Sequence, residues 1–244
     1  MSGTREECVF MARLAEQAER HDDMVQYMKR VACMGTELSL DERNSLSVAY
    51  KNAATARRQA WRAITLGAQQ ETPDSQPAIQ NYKRTVEKEL DELCKDILDI
   101  LDKYLIGSAS TAESKVFYMK MKGDYHRYSA EFKSGSEHGV CAGYAQTAYQ
   151  AAMDEATISL GSAHQIRLGL ALNYAVFYNE VLRNSAEAIK LAKKTLEEGT
   201  ADLGSLDPLS QQDSRQILQL LQDNLSLWNA GGQPGQDGTE VEEM

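Results

Sequence analysis

Apolar residues in this chain recur at three- and four-residue spacing over long proline-free intervals, and that period leaves room for little but helices. The four prolines, Pro73, Pro77, Pro208 and Pro234, fall near helix starts or in the C-terminal tail. Good helix formers fill the intervals between them, and no run of alternating β-branched residues marks a strand. Start signals recur. Ser39 to Glu42 and Ser110 to Glu113 fit the capping box, in which hydroxyl and carboxylate satisfy each other's orphan backbone donors. Asn184 to Glu187 is similar, and Asp207-Pro208 sets proline at a first helical position. Stop signals near Gly35, Gly107, Gly135, Gly161 and Gly204 divide the chain further. The pattern predicts an all-α fold of nine helices, near residues 4–19, 22–34, 40–69, 75–106, 112–134, 138–160, 166–183, 187–203 and 209–229. Short connections favour antiparallel neighbours, and no fixed-period repeat supports a solenoid. Residues 1–229 read as a single helical domain. Residues 230–244 are glycine-rich, carry Asp237, Glu240, Glu242 and Glu243, and contain no base, so they read as a disordered acidic tail.

Several functions are excluded early. With 244 residues the chain can bury a sizeable core. A formal net charge of −10 argues against nucleic acid as a partner, because phosphate backbones need a basic footprint. The most apolar stretch, Leu168 to Tyr178, is too short to span a bilayer, and no leader is visible at the N-terminus; membrane insertion is not expected. Cys8, Cys33, Cys94 and Cys141 stand far apart and form no C-x-x-C pair, so they read as reduced thiols of a cytoplasmic protein, with the nucleus open as a second compartment. Asn224-Leu225-Ser226 is a sequon by coincidence in such a setting. Nucleotide-binding, P-loop and nucleophile-elbow motifs are missing. Helical di-metal sites need Glu-x-x-His pairs, and Ala18, Gly123, Gly135 and Gly161 stand three residues before the four histidines. No catalytic residue, metal or cofactor is expected.

Two basic segments interrupt the acidic average. Leu46 to Arg62 holds Lys51, Arg57, Arg58 and Arg62 with no acid. Lys51 and Arg58, seven apart, lie ~20° from eclipsed on one helix face; on this segment alone a solvated basic face explains them equally well. Lys115 to Tyr128 repeats the spacing with Lys120 and Arg127. An arginine beside Tyr128 offers a planar donor fork next to a phenol, which suits a phosphate monoester, although an amphipathic helix with snorkelling lysines has the same pattern. Arg167 to Glu180 sets Leu172 with Val176, and Asn173 with Glu180, on neighbouring stripes. Ile217, Leu220, Asn224 and Trp228 share another face. Apolar stripes are usually core. An asparagine within one either satisfies a buried backbone group or waits for a ligand's backbone.

Together these segments resemble the 14-3-3 family. The runs that carry the likeness are Leu14 to Arg20, Leu46 to Asn52, Ser114 to Tyr118, Met121 to Tyr125, Ile166 to Asn173 and Asp223 to Trp228, all in the family's order. The resemblance implies nine antiparallel helices in a cup-shaped subunit with an amphipathic groove. It implies a signalling adaptor that binds phosphoserine or phosphothreonine segments of the Arg-x-x-pSer/pThr-x-Pro type. Lys51, Arg58, Arg127 and Tyr128 match the phosphate pocket, with Lys120 on the same side of the groove. Asn173 and Asn224 match contacts to the ligand backbone, and Glu180 and Trp228 match polar contacts nearby. Leu172, Val176, Ile217 and Leu220 match the apolar wall. Leu14, Ala15, Arg20, Asp23, Tyr82 and Glu89 match the dimer interface, for a homodimer or a heterodimer with related subunits. The chain departs from the family pattern at Gln216 on the groove wall, at Gln165, at His126 beside Arg127, at Thr85 where lysine is common, and at Ala60, where some members carry a phosphorylated serine. An alternative reading is a phosphate-independent scaffold that takes partner helices into the apolar groove.

Overall fold

A computed structural model describes residues 3–69 and 72–230, so the expected tail lies almost wholly outside the described residues. Nine α-helices follow in order among them: α1 (Arg5–Gln17), α2 (His21–Ala32), α3 (Leu40–Gly67), α4 (Gln76–Ile100), α5 (Ala112–Phe132), α6 (Gly135–Ser159), α7 (Gln165–Glu180), α8 (Ser185–Asp202) and α9 (Pro208–Asn229). No strand occurs among the described residues. The all-α expectation holds, and the helix ends show where local chemistry differs from the pattern.

The Ser39–Glu42 capping box forms at the start of α3. A second box, which the pattern did not single out, forms between Thr4 and Glu7 at α1. Before α5 the cap falls one residue later than expected: the Thr111 hydroxyl, not that of Ser110, accepts the N–H of Ser114. Asn184 accepts from Glu187 at α8, and Asp207 from Leu209 and Ser210 at α9. Such side-chain caps are worth about 1 kcal/mol each. Gly35 has a positive φ after α2, as a stop requires; Gly135, also positive, opens α6 instead. The expected long fourth helix ends at Ile100 and widens into a π-turn, in which the Ile106 N–H reaches the Leu101 carbonyl at 2.9 Å. Helix α7 stops three residues early. Arg183 takes a left-handed φ of 53°, and the Asn184 N–H folds back to the Tyr178 carbonyl at 2.8 Å.

The chain divides into two compact units, Met1–Ser108 and Ala109–Met244. In the first, α1 packs on α2, α2 on α3 and α3 on α4. Met24 and Met28 from α2, Leu46 and Tyr50 from α3, and Leu90 and Ile97 from α4 are fully or almost fully buried. In the second, α7 is the central helix, in contact with α5, α6, α8 and α9. One apolar cluster joins α5, α6 and α7 around Tyr149, Leu170 and Phe177; another joins α7, α8 and α9 around Leu172, Ala192 and Leu221. This explains the most apolar stretch of the sequence, because a helix covered on all sides is apolar on all sides. No helix among the described residues is long and apolar enough to cross a membrane. None of the four cysteines is in a disulfide, and three of them are buried.

Candidate functional site

Within the first unit, α3 carries Lys51, half-buried, and Arg58, buried. Its start is clamped from α1. Arg5 donates through Nε to Glu42 Oε1 at 2.7 Å and through Nη2 to Oε2 at 2.6 Å. That bidentate bond, reinforced by the Ser39 backbone, draws the Glu42 carboxyl down to about 2 against the cost of burial. Arg57, although next to Arg58, has a different task. It pairs with Asp22 at 2.9 Å and Glu89 at 3.4 Å, at a cleft of about 410 Å³ that Asp23, Lys29 and Asp96 also line. The four cations of this segment therefore do not act as one basic face.

The dimer residues named from the resemblance also lie in this unit. Leu14 is 48% exposed and Tyr82 62% exposed, with Phe10 exposed one turn before Leu14; Ala15 is buried. Arg20 pairs with Asp23 within the chain. Thr85 is exposed, its hydroxyl donating to the Asn81 carbonyl at 3.2 Å.

Within the second unit, α5 carries the other half of the candidate set. Arg127 has no exposed surface, and Lys120 and Asn173 are buried. What gathers them is Asp124, which sequence reasoning assigned no role. Its Oδ2 accepts from Lys120 Nζ at 3.0 Å. Its Oδ1 accepts from the Tyr149 hydroxyl at 2.5 Å, from Asn173 Nδ2 at 2.9 Å and from Arg127 Nη2 at 3.2 Å. The Tyr149 hydroxyl in turn accepts from Arg127 Nε at 3.0 Å. Burial pushes the Asp124 carboxyl up, but Lys120, Arg127 and the Tyr149 hydroxyl outweigh it and hold the group below its usual range. The same burial, with Asp124 beside it, pushes the Tyr149 phenol well above its usual range. The proton of the short bond therefore stays on the tyrosine.

Tyr149 is placed from two sides. Its ring stacks on Tyr174 at 5.2 Å and tilts against Phe177 at 5.6 Å. On the other side it lies over Gly123, where a Cβ would meet the ring carbon Cδ1 at 2.6 Å. Tyr128 lies under the Arg127 guanidinium at 4.7 Å, and His126 packs on Tyr144 at 5.2 Å.

The remaining candidates spread along α7 and α9. Helix α7 begins with an unusual cap, the ring Nδ1 of His164 accepting from the Ile166 N–H, and Gln165 is exposed at its first position. Leu172, Val176, Ile217 and Trp228 all lie inside the α7–α8–α9 cluster, while Leu220 packs at its margin and Gln216 is exposed. The apolar wall is thus mostly shared with the core. Asn224 is buried and Glu180 half-buried. The indole Nε1 of Trp228 is buried without a hydrogen-bond partner among the described residues. Among those residues no group of three His, Cys, Asp or Glu side chains could hold a metal ion.

Chemically, the second unit presents buried cations and an oriented amide around one ionised carboxylate, a set suited to an anionic, hydrogen-bonding ligand. Comparison with known proteins finds relatives along nearly the whole chain. A family model described as "14-3-3 protein" matches residues 11–229. A 14-3-3-like protein of Chlamydomonas reinhardtii is 50% identical over 248 residues, covering 99% of this chain and 96% of that protein. The 14-3-3 protein epsilon of Drosophila melanogaster is 49% identical over 256 residues, covering 98% of each. The 14-3-3-like protein GF14 nu of Arabidopsis thaliana is 48% identical over 249 residues, covering all of this chain and 94% of its own length.

Proposed function

The chain belongs to the 14-3-3 family, and from that premise we propose that it is an adaptor whose grip on client proteins depends on phosphoserine or phosphothreonine. Lys51, Arg58, Arg127 and Tyr128 take the phosphate in this reading, and Lys120 adds a cation to the peptide-binding set. Asn173 and Asn224 bond the client main chain, and Glu180 and Trp228 add polar contacts. Leu220, at the margin of a wall formed with Leu172, Val176 and Ile217, meets the apolar side chains that flank the phosphorylated residue. No step in this reading makes or breaks a covalent bond.

The observation that carries the proposal is the Asp124-centred network, which holds Arg127, Lys120 and Asn173 in fixed orientations out of water. A phosphomonoester brings close to two negative charges and acceptor oxygens that unmodified serine lacks. Charge-assisted hydrogen bonds contribute roughly 1.5–3 kcal/mol each. Two or three of them make the phosphate worth a factor of about 10²–10⁶ in affinity. The Trp228 indole N–H, buried without a partner among the described residues, supports a ligand that brings an acceptor to that end of the site.

Titration of a fluorescent Arg-x-x-pSer-x-Pro peptide and its unphosphorylated twin tests this reading. Tight binding of the phosphorylated peptide alone, lost in Lys51→Glu, is the expected result. Equal binding of the twins would replace it with a phosphate-independent scaffold. We further propose that the chain works as a homodimer or a heterodimer with related subunits. Two sites per dimer would raise avidity for doubly phosphorylated clients by about 10²–10⁴ where the linker spans them.

A further inference from the structure

We infer that the buried pair Asp124 and Tyr149 is a positioning device that ties the phosphate-binding arginine and the backbone-binding amide to one carboxylate oxygen. This rests on the phosphopeptide reading above and goes beyond it, because neither residue needs to touch the ligand.

Three features of the geometry support it. Arg127 is held at two points of its guanidinium, Nε to the Tyr149 hydroxyl and Nη2 to Asp124, and the tyrosine closes the triangle by donating to the same carboxylate oxygen. Two-point attachment fixes the plane of the fork, which one ion pair would leave free to turn. Asn173 gives its Nδ2 to that oxygen too. A flipped amide would set two acceptors against each other at 2.9 Å, so the carbonyl oxygen of Asn173 is the atom turned toward other partners. A ligand N–H is a natural complement to that oxygen. Finally, Tyr149 has no latitude of its own, lying between Tyr174 and the bare backbone of Gly123.

The charge of Asp124 makes the alternative sharp. A carboxylate beside Arg127 and Lys120 repels an incoming phosphate, and the repulsion is strong where water is excluded. If Asp124 only balanced charge, its removal would improve phosphopeptide binding. If it positions, its removal weakens binding although the site becomes more positive.

The test measures the affinity of the phosphorylated peptide and its unphosphorylated twin for wild type, Tyr149→Phe, Asp124→Asn, Asn173→Ala and the Tyr149→Phe/Asn173→Ala double variant. Thermal melts ensure that every titration is run on folded protein. Tyr149→Phe changes no charge; it is expected to weaken the phosphorylated peptide about tenfold, roughly the worth of one hydrogen bond to a charged group. The twin, which has no phosphate contact to lose, should be weakened less. Asp124→Asn is expected to weaken the phosphorylated peptide as well. The double variant should lose less than the sum of its parts, since both residues act through one oxygen. Unchanged affinity in Tyr149→Phe, tighter binding in Asp124→Asn, or strict additivity would each overturn the inference while leaving the adaptor reading in place. Should Asp124→Asn not fold, Tyr149→Phe and the cycle decide alone. Wild type that ignores the phosphate would remove the adaptor reading and this inference together.

Discussion

Asp124 stays ionised where water hardly reaches it, because two cations and a phenol bind it more strongly than burial opposes it. Buried ion clusters of this kind are costly to break from one side. Asp124→Leu, which takes this carboxylate away from Lys120 and Arg127, should destabilise the protein by about 3–5 kcal/mol, read from urea midpoints. Gly123 sets a second limit. A methyl at this position would push on a ring that Tyr174 and Phe177 already pin. Gly123→Ala should cost about 1–3 kcal/mol through overpacking and weaken phosphopeptide binding along with it. Part of this cluster was legible in the sequence: Lys120, Asp124 and Arg127 follow at helical spacing, so a carboxylate among the cations could have been picked out. Tyr149 and Asn173 reach Asp124 from 25 and 49 residues away. No local spacing reports contacts of that length.

Among the helices, termini were harder to foresee than existence. All nine were visible because their apolar period is long and their caps are mostly polar side chains in conventional places. The ends of α1 and α7 were not, because Glu19 and Arg183 adopt left-handed φ without being glycine. That conformation costs a side-chain-bearing residue about 1 kcal/mol. Arg183→Gly should therefore be neutral to stabilising by up to about 1 kcal/mol in thermal melts, whereas Arg183→Val should lose at least as much. The start of α3 makes a different prediction, on acidity. Glu42 is drawn to about 2 in the folded chain by Arg5, below the ordinary carboxylate value near 4.3. A depressed carboxyl gives stability that is present above the unfolded value and lost as pH falls through the folded one. The loss should appear between about pH 4.3 and 2 and amount to roughly 1–2 kcal/mol once partial solvent screening is allowed for. Glu42→Gln should lower stability at neutral pH and flatten that limb of the pH–stability curve.

At the scale of the molecule, the apolar period carries nine helices, while the two compact units come from contacts that the pattern does not encode. Phe10 and Leu14 lie one turn apart on α1 and are as exposed as core-type residues rarely are, with Tyr82 exposed on α4 of the same unit. Large apolar side chains exposed to water favour association. Sedimentation at micromolar concentration should show a dimer, and Leu14→Asp should shift it toward monomer. The burial of Arg127 bears on time as well as on affinity. A guanidinium without exposed surface cannot be struck directly by a diffusing phosphate, so encounter and capture become separate events. On the proposed reading, capture by Arg127 waits for side chains to part. In stopped-flow mixing, the observed rate should then climb with peptide concentration and level off at the rate of that parting, where an openly displayed arginine would give a straight line.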